Sequence, residues 1–497
     1  MRVFIVSPIF RFDGQNLSKL IRNKIKHEPI FNPPNINLGS LYLASVAMKR
    51  GCDVFVSLCC KYDFEKEFRK YNPDILLISA MDIQAKTSIY IAKVAKSIKK
   101  SVKIVMGGYF PTACYESLLR ELPWLDFAVI GEGEATLDEI LSYYKGEIKS
   151  KSKIKGVAFV RNGKIMFTGN RKPGNLDKIP FPARFFINYP LDYLMASRGC
   201  YYNCKFCSVH NFYRRVYRRR SMKNVVEEIN NTVKSLEEKS ICKIGIEDDD
   251  FLIDKNTLCE FEARLSESGL ENISFYCMMR LDQLIIPGTL EQLERLNFLE
   301  VFIGLQNTSQ EVLDYFRIGI NDWHIKKFIK LLQRKRKIKI GMFYIINSGL
   351  PNETTDGIRK NLADFLFLIK EIKNIDVMPL LLSPYSGSEF GGKSPFYDSQ
   401  YSEKKGFVHN EKISDLELIE IYSEFLNEIK KRKSDTYIPH GFFKTIEDIF
   451  FFLTSSLRVK TKIRMVFDSA GWFFIALAKM EIPLSYIKKR IEQKYFL

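Results

Sequence analysis

The chain reads Ser197-Arg-Gly-Cys200-Tyr-Tyr-Asn-Cys204-Lys-Phe-Cys207-Ser near its centre, and this stretch decides how the rest is interpreted. Thiolates separated by three and then two residues can wrap one short loop around an iron–sulfur cluster. A four-iron cluster takes four ligands, so three cysteines leave one iron open. A structural zinc site is the alternative, because His210 is near enough to supply the fourth ligand that zinc requires. The spacing and the flanking Tyr202 and Phe206 favour the cluster.

The residues before this loop alternate between strand and helix patterns. Apolar runs at 3–6, 53–58, 75–78, 104–106 and 127–130 are separated by helical patterns at 38–50, 87–100 and 135–144. This alternation predicts an α/β domain over residues 1–145, built on a doubly wound parallel sheet. In such sheets, ligands bind beyond the carboxyl ends of the strands.

Three further regions follow. Residues 146–190 are interpreted as a linker with a small hairpin, in which Asn162-Gly163 forms the turn. Residues 191–395 return to strand and helix alternation, and residues 396–497 form a helical, basic C-terminal region. Cysteines are absent after Cys277, so a second, C-terminal cluster is not expected.

The cysteine stretch resembles the cluster loop of the radical S-adenosylmethionine (SAM) superfamily. Five later motifs stand in the family's order: Ile246-Glu-Asp-Asp-Asp250-Phe, Met279-Arg-Leu-Asp282, Phe302-Ile-Gly-Leu-Gln-Asn307, Ser348-Gly-Leu-Pro-Asn-Glu353 and Pro384-Tyr-Ser-Gly387. The resemblance implies a partial (β/α)6 TIM-like barrel whose active site lies at the strand carboxyl ends. It also implies a 4Fe-4S cluster on Cys200, Cys204 and Cys207, with SAM bound at the open iron and cleaved to a 5′-deoxyadenosyl radical.

The same resemblance assigns candidate SAM contacts. Glu247 or Asp248 would accept from the methionyl amine, unless the carboxylate only caps or forms an ion pair. Gln306 stands where relatives carry a carboxylate for the ribose, although an amide can also donate and accept. Arg280 pairs with the ligand carboxylate or bridges two strands, and Glu353 contacts SAM or only caps the next helix. The full candidate set is Phe206, Glu247, Asp248, Arg280, Gln306 and Glu353.

The motifs of residues 1–145 resemble the cobalamin-binding, Rossmann-like domain that precedes the barrel in many radical SAM enzymes. They are Asn37-Leu-Gly39-Ser-Leu-Tyr-Leu-Ala44, Pro73-Asp74, Gly107-Gly-Tyr-Phe-Pro-Thr112 and Gly131-Glu-Gly-Glu-Ala-Thr136. Glycines would let the backbone approach the corrin tail, although any doubly wound sheet has turn glycines. No Asp-x-His-x-x-Gly run is present, so no protein histidine is expected on cobalt. The candidate cobalamin contacts are Ser7, Pro8, Ser79, Met81, Gly107, Gly108, Tyr109, Gly131, Glu132 and Gly133.

Charge bears on partners and location. The chain carries 76 Lys and Arg against 58 Asp and Glu, a net charge of +18 that suggests an anionic partner or simply a basic surface. The run Tyr213–Arg220 could bind RNA phosphates while its tyrosines stack on bases. Because the family often has arginines after the cluster loop that support the barrel, no nucleic acid partner is expected. No signal peptide or membrane span is recognised, and a reducing cytoplasm is expected. The aromatic stretch Trp472–Ala478, flanked by lysines and arginines, predicts either peripheral membrane contact or a helix packed on the barrel.

The sequence thus predicts a cobalamin-dependent radical SAM enzyme that modifies an unactivated carbon of a small-molecule or lipid substrate, by methylation in the leading interpretation. An electron donor such as flavodoxin or ferredoxin would reduce the cluster. One alternative is a cobalamin-free radical SAM enzyme that forms or rearranges C–C bonds. Another is a cobalamin-binding sensor with a degenerate barrel.

Overall fold

A computed structural model gives the fold. It describes residues 1–6, 8, 38–57, 64–186, 193–236, 243–251, 254–333, 337–370, 372, 374–392, 408, 410 and 412–432. Residues 1–10 and 36–422 belong to one compact unit, which contains both sheets discussed below.

The N-terminal sheet has seven described strands in the order β2-β1-β3-β4-β5-β6-β7. The strands β1 to β5 pair in parallel, whereas β6 and β7 form an antiparallel hairpin that pairs with β5. The hairpin predicted within residues 146–190 is therefore present, but it extends the N-terminal sheet rather than lying in a separate linker. The bounds are β1 Arg2–Val6, β2 Asp53–Ser57, β3 Ile75–Ser79, β4 Lys103–Gly107, β5 Phe127–Val129, β6 Val157–Arg161 and β7 Lys164–Phe167.

Helices cover both faces of this sheet, as the doubly wound prediction requires. Strand β1 shows why: Phe4 and Val6 belong to one apolar cluster, and Val3 and Ile5 belong to another, all with no exposed surface. Strands buried on both faces read as continuous apolar runs rather than alternating ones. The helices are α1 Leu38–Lys49, α2 Phe64–Tyr71, α3 Ala85–Ile98, α4 Tyr109–Glu121 and α5 Glu134–Tyr144.

The second sheet has six described parallel strands in the order β15-β14-β13-β12-β11-β8. Sequential parallel strands with helical crossovers confirm the partial (β/α)6 barrel. Two short strands, β9 and β10, pair with each other beside it. The bounds are β8 Tyr193–Leu194, β9 Ser197–Arg198, β10 Arg218–Arg219, β11 Lys243–Ile246, β12 Ser274–Arg280, β13 Phe298–Gln306, β14 Lys339–Ile345 and β15 Ile375–Leu380.

The barrel strands alternate between an outer and an inner face. On β12 and β13, the outward residues Cys277, Val301 and Ile303 are fully buried, whereas the inward residues are half-buried. The helices after the N-terminal domain are α6 Val209–Phe212, α7 Met222–Leu236, α8 Lys255–Glu267, α9 Leu281–Leu284, α10 Thr289–Arg295, α11 Gln310–Phe316, α12 Asp322–Leu332, α13 Thr355–Leu368 and α14 Asp415–Arg432.

Part of the predicted C-terminal region lies outside the described residues. That part includes the aromatic stretch Trp472–Ala478 and the basic residues around it, so the membrane prediction stays a prediction. Within the described ranges, no helix combines the length and the hydropathy needed to span a bilayer.

Candidate active site

The loop of residues 200–207, the cysteine loop, is anchored at both ends. Gly199 precedes it with a φ of 88°, and a Cβ there would collide with the carbonyl oxygen of Val216. Only glycine fits this close approach between β9 and β10. Further along, the Lys205 N–H donates to the Phe316 carbonyl (3.1 Å), and the Phe206 ring packs edge-on against that of Phe316 (5.4 Å). Phe206 therefore fastens the loop to the end of α11.

The thiols of the cysteine loop lie in an environment suited to an anionic cluster. Burial raises the pKa of Cys200 and Cys207 to about 12 and that of Cys204 to about 11. Backbone N–H groups act against burial, from Tyr202 on Cys200 and from Val209 and His210 on Cys207. Amide donors aimed at thiolates are the surroundings that tune iron–sulfur clusters, so the residues present fit such a group.

The zinc alternative receives no support from the geometry. Among the described residues, no three His, Cys, Asp or Glu side chains converge as ligands of a single metal ion. A tetrahedral zinc ion holds its thiolates at about 2.3 Å and therefore needs them clustered around one point. A cubane binds each cysteine to a different iron, so its three sulfurs need not surround a single metal ion.

Asp248, one of the two candidates for the methionyl amine, already accepts hydrogen bonds from within the protein. It is almost fully buried, and its carboxylate accepts from the Ala196 N–H (2.7 Å) and the Ser197 hydroxyl (2.6 Å). These bonds tie the end of β11 to β9, the strand that leads into the cysteine loop. Glu247 instead lies half-buried and accepts from the Tyr276 hydroxyl (2.9 Å). Of the two, Glu247 is better placed to meet a ligand.

Burial of Asp248 predicts a pH-dependent stability. Desolvation raises its pKa to about 7, against about 3.9 in an unfolded chain. The folded state then holds a proton that the unfolded state releases, so stability falls as pH rises from about 4 to 7. The full pKa shift of Asp248 corresponds to a decrease of about 4 kcal/mol in the free energy of unfolding. Urea unfolding of the wild type and of Asp248→Asn across this window should show a flatter profile for the variant, and equal slopes would contradict the assignment.

The two aspartates that follow were not singled out in the sequence. Asp249 accepts from the Gly199 N–H (3.0 Å) and lies at the limit of hydrogen bonding from the Tyr109 hydroxyl (3.5 Å). Asp250 lies 3.9 Å from the Cys200 sulfur and 3.4 Å from the Gln283 amide nitrogen. Asp250 is thus the carboxylate placed at the first cysteine. An acidic run directly after a strand was the available signal, but the run does not show which carboxylate faces which way.

Arg280 clamps the cysteine loop from β12. Its guanidinium carbon lies 3.4 Å from the ring centroid of Tyr202, a cation–π contact. It also donates to Asp282 (2.9 Å) and to the Ile318 carbonyl (2.8 Å), and the Tyr202 hydroxyl donates to Asp282 (3.2 Å). These partners lie on loops and on the turn after β12 rather than on a second strand, and the contact of Arg280 with the ligand carboxylate stays a prediction. The positive charge also lowers the pKa of Cys200 and Cys204, against the larger effect of burial.

Gln306 ends β13 in an unusual conformation. Its φ is 67°, directly after a register shift in the pairing with β14, and its amide nitrogen lies against Gly304. A non-glycine residue in the left-handed region costs about 1–3 kcal/mol, and such strain concentrates at functional sites. The bulge places the Gln306 side chain along the inner face of the sheet, and its contact with the ribose of SAM stays a prediction.

The Glu353 carboxylate stabilises the turn that directly precedes it in the chain. Its carboxylate accepts from the N–H (2.6 Å) and hydroxyl (2.6 Å) of Ser348 and from the Gly349 N–H (3.0 Å). Thr354, not Glu353, caps α13. The carboxylate thereby fixes the Ser348-Gly-Leu-Pro351 turn at the carboxyl end of β14, and its contact with SAM stays a prediction.

The N-terminal sheet has the order 2-1-3-4-5 in its parallel part, so its topological switch point lies between β1 and β3. Ligands of doubly wound folds bind at this point. Ser7 lies outside the described residues, while the Pro8 carbonyl accepts from the Gln84 amide (2.6 Å) and Met81 is 44% exposed. The small residues Ser79, Gly107 and Gly108 border the same edge. The residues present thus fit a large cofactor tail entering at the switch point.

The predicted cobalamin-contacting glycines also have packing reasons. Gly108 has a φ of 105°, and a Cβ there would come within 2.5 Å of the Ala80 carbonyl oxygen. The Gly131 N–H binds the Thr112 hydroxyl (3.0 Å), and Gly133 lies close to Leu43. These glycines close the turns between neighbouring strand ends, as the simpler sequence interpretation proposed. Their contact with cobalamin stays a prediction.

The edge of the N-terminal sheet meets β9 and β10, the strands on either side of the cysteine loop, through buried ion pairs. Arg198 donates to Glu132 (2.8 Å) and Glu134 (2.7 Å), and Arg218 pairs with Glu132 from β10. The Arg198 side chain is only 9% exposed. Tyr109, at the start of α4, stacks on Phe212 of α6 (4.4 Å). Glu132 and Tyr109, predicted to bind cobalamin, therefore hold the N-terminal domain against the segment that carries the cysteines.

Two family models match the chain. The B12 binding domain matches residues 33–141, and the Radical SAM superfamily matches residues 194–365. Among curated relatives, an uncharacterized methyltransferase of Pyrococcus horikoshii is 28% identical over 71% of this chain and 76% of its own. The anaerobic magnesium-protoporphyrin IX monomethyl ester cyclase of Cereibacter sphaeroides is 27% identical over 59% of this chain and 49% of its own. The hopanoid C-3 methylase of Methylococcus capsulatus is 26% identical over 67% and 62%. The chain thus spans three quarters of the first relative's length but only about half of the cyclase.

Solved structures share the fold. The cobalamin-dependent SAM radical enzyme OxsB, with aqua-cobalamin and SAM bound, aligns with a TM-score of 0.63 at 17% identity, over 94% of this chain and 74% of its own. The radical SAM methyltransferase TsrM from Kitasatospora setae, with cobalamin and a [4Fe-4S] cluster bound, aligns with a TM-score of 0.60 at 16% identity, over 78% and 77%. At these identities the likeness concerns the fold alone.

Proposed function

Because the chain belongs to the radical SAM superfamily and carries a B12-binding domain, we propose that it methylates an unactivated carbon of a small-molecule or lipid substrate. The family assignment brings three cofactors: a 4Fe-4S cluster, SAM and cobalamin. The observation that carries the proposal is the contact between the N-terminal domain and the residues on either side of the cysteine loop, through Glu132–Arg198 before the loop and Tyr109–Phe212 after it. This contact supports one shared reaction space for both cofactors.

The chain's own residues divide the work. When bound, the cluster and SAM supply a 5′-deoxyadenosyl radical, and cobalamin supplies the methyl group. Cys200, Cys204 and Cys207 hold the cluster. We assign Glu247 and Asp250 to the methionyl ammonium and Gln306 to the ribose, because these side chains lie at the carboxyl ends of β11 and β13.

The other candidates act through the loops that they hold. Asp248 and Glu353 accept from backbone N–H groups beside strands, Arg280 donates to the Ile318 carbonyl after α11, and Phe206 packs on α11. We therefore assign them as positioning residues. Electron delivery by flavodoxin or ferredoxin is part of the proposal and rests on the resemblance alone.

The names of relatives support methylation as the reaction, and one of them also supports ring closure as a second candidate. Two of the relatives above are a methyltransferase and a methylase by name, and a third is a cyclase. Ring closure through a substrate radical is thus the second candidate, in line with C–C bond formation as the alternative from the sequence.

Anaerobic reconstitution tests the function. The protein is loaded with iron, sulfide and hydroxocobalamin and is then incubated with SAM labelled with deuterium in its methyl group and a chemical reductant. We expect cluster and corrin absorbance in the purified protein, and 5′-deoxyadenosine on reduction. A deuterated methyl group should appear on the substrate once a substrate is supplied. A fully loaded protein that releases no 5′-deoxyadenosine with any tested substrate would favour the sensor alternative.

A further inference from the structure

The inner face of the barrel sheet divides into a polar half and an apolar half. The inward positions near the carboxyl ends of β11 to β13 include Glu247, Arg280 and Gln306. The register pairs Phe343 of β14 with Met378 of β15, and Ile345 with Leu380. These four apolar side chains form the inner surface that we call the β14–β15 half.

An aromatic floor connects the two halves. The ring of Tyr276 meets that of Phe302 edge-on at 6.1 Å, and Phe302 lies 6.4 Å from Phe343. Tyr276 covers Gly245 and Phe302 covers Gly341, each so closely that a Cβ on the glycine would collide with the ring. Glycine at these two positions lets the rings lie along the sheet rather than stand up from it. The floor therefore runs continuously from β12 to β14.

Charges lie toward the opposite end of the strands. Lys243 pairs with Glu300 between β11 and β13, and Lys339 pairs with Asp376 between β14 and β15. These pairs lie toward the amino-terminal ends of the strands, with the apolar surface between them and the cysteine loop at the carboxyl-terminal side. The four charged side chains on the amino-terminal side of the aromatic rings thus already have partners.

The β14–β15 half exposes apolar surface inside the barrel. Phe343 and Met378 are half-buried, and Leu380 is 41% exposed. Covering such surface with an apolar ligand removes it from water, which favours binding in proportion to the area covered. Among the described inward positions of β14 and β15 beyond Asp376, no side chain carries a hydrogen-bond donor, and the thioether of Met378 is the one weak acceptor. A polar substrate group placed there would lose its hydrogen bonds to water without replacement.

We propose that the β14–β15 half binds an aliphatic hydrocarbon portion of the substrate and places it beside the SAM site. The substrate class is then lipid-like: an alkyl or isoprenoid chain, or a saturated ring system, at the reacting carbon. This inference rests on the proposed function, because it assumes that the inner face at the strand carboxyl ends is the reaction space.

Calorimetric titration of the reconstituted enzyme with SAM but without reductant tests binding. The probes are decanol and, as a polar counterpart, glucose. We expect decanol to bind with a negative heat-capacity change, the mark of apolar burial, and glucose not to bind. Phe343→Gln should weaken decanol binding about tenfold, whereas Phe343→Leu should restore most of it. Phe367→Gln, which alters a phenylalanine of α13 that is 76% exposed, serves as the matched control and should leave binding unchanged.

A second measurement tests whether the bound probe lies within reach of the 5′-deoxyadenosyl radical. With dithionite as the electron source, perdeuterated decanol should transfer deuterium to 5′-deoxyadenosine: a C–D bond of the probe breaks, a C–D bond forms at C5′, and the unpaired electron stays on the probe. Perdeuterated glucose should transfer none. Decanol that binds no better than glucose, or equally well to Phe343→Gln, overturns the inference while leaving cleavage of SAM intact. Absence of 5′-deoxyadenosine counts against the proposed function, and the titration without reductant still decides the apolar site.

Discussion

Replacing Cys204 by alanine is expected to abolish both the cluster absorbance and the release of 5′-deoxyadenosine, a loss of at least about a thousandfold if the cluster is required for cleavage. Cys204 lies between the other two cysteines, and its sulfur is 3.9 Å from the Arg317 carbonyl at the end of α11. Two remaining thiolates cannot hold a cubane and still leave a single open iron. Iron content, visible absorbance and product analysis after reconstitution measure the effect.

Cys259→Ala is the matched control. Cys259 is exposed on α8, away from the cysteine loop in sequence, and its sulfur accepts from the Gln292 amide (3.3 Å). This variant should bind iron and cleave SAM as the wild type does. Cleavage by Cys204→Ala at the wild-type rate would refute the assignment of the cysteine loop.

Replacing Arg198 by methionine should lower the free energy of unfolding by about 3–5 kcal/mol, because it leaves buried carboxylates without their cation. Glu132 keeps Arg218, but Glu134 is 11% exposed and faces Arg198. Burial raises the pKa of Glu134, but the charge and hydrogen bond of Arg198, with smaller contributions, outweigh burial and lower the pKa overall, so the charge of Glu134 depends on that partner. Urea unfolding followed by circular dichroism measures the change.

The solvent-exposed ion pair between Arg264 and Glu267 provides the control for the buried pairs of Arg198. Arg264→Met removes the exposed partner of Glu267 and should cost at most about 1 kcal/mol. The double variant Arg198→Met, Glu134→Leu should regain part of the loss, because both charges are then absent. Equal losses in Arg198→Met and Arg264→Met would show that the buried pairs contribute little.

The sequence predicts the two sheets well because their signals are local. Apolar runs such as Ile75–Ser79 become strands buried on both faces, and the cysteine spacing fixes a loop without any tertiary information. The hairpin at Asn162-Gly163 was also recognisable from its turn residues. Its attachment to β5 was not, because a hairpin pattern contains no information about which sheet edge it will pair with.

The candidate site was harder to resolve for a related reason. Asp248, Asp249 and Asp250 have the same chemistry, and their separate partners depend on where β11 ends and how the chain turns afterwards. Glu132 has its arginine 66 residues further along the chain, and no local pattern reveals such a pairing. The resemblance indicated which motifs matter, whereas the role of each side chain required the fold.

The fit between Glu132, Glu134 and Arg198 bears on how chains of this architecture can be recombined. A cofactor domain transplanted from a relative would have to present two carboxylates at matching positions, or the acceptor barrel would be left with a buried, unmatched arginine two residues before its first cysteine. The stacked rings of Tyr109 and Phe212 impose a second matching condition at the same interface. A chimera should therefore take residues 197–220 from the same parent as its N-terminal domain. The crossover point then lies after this segment rather than at the boundary between the two sheets.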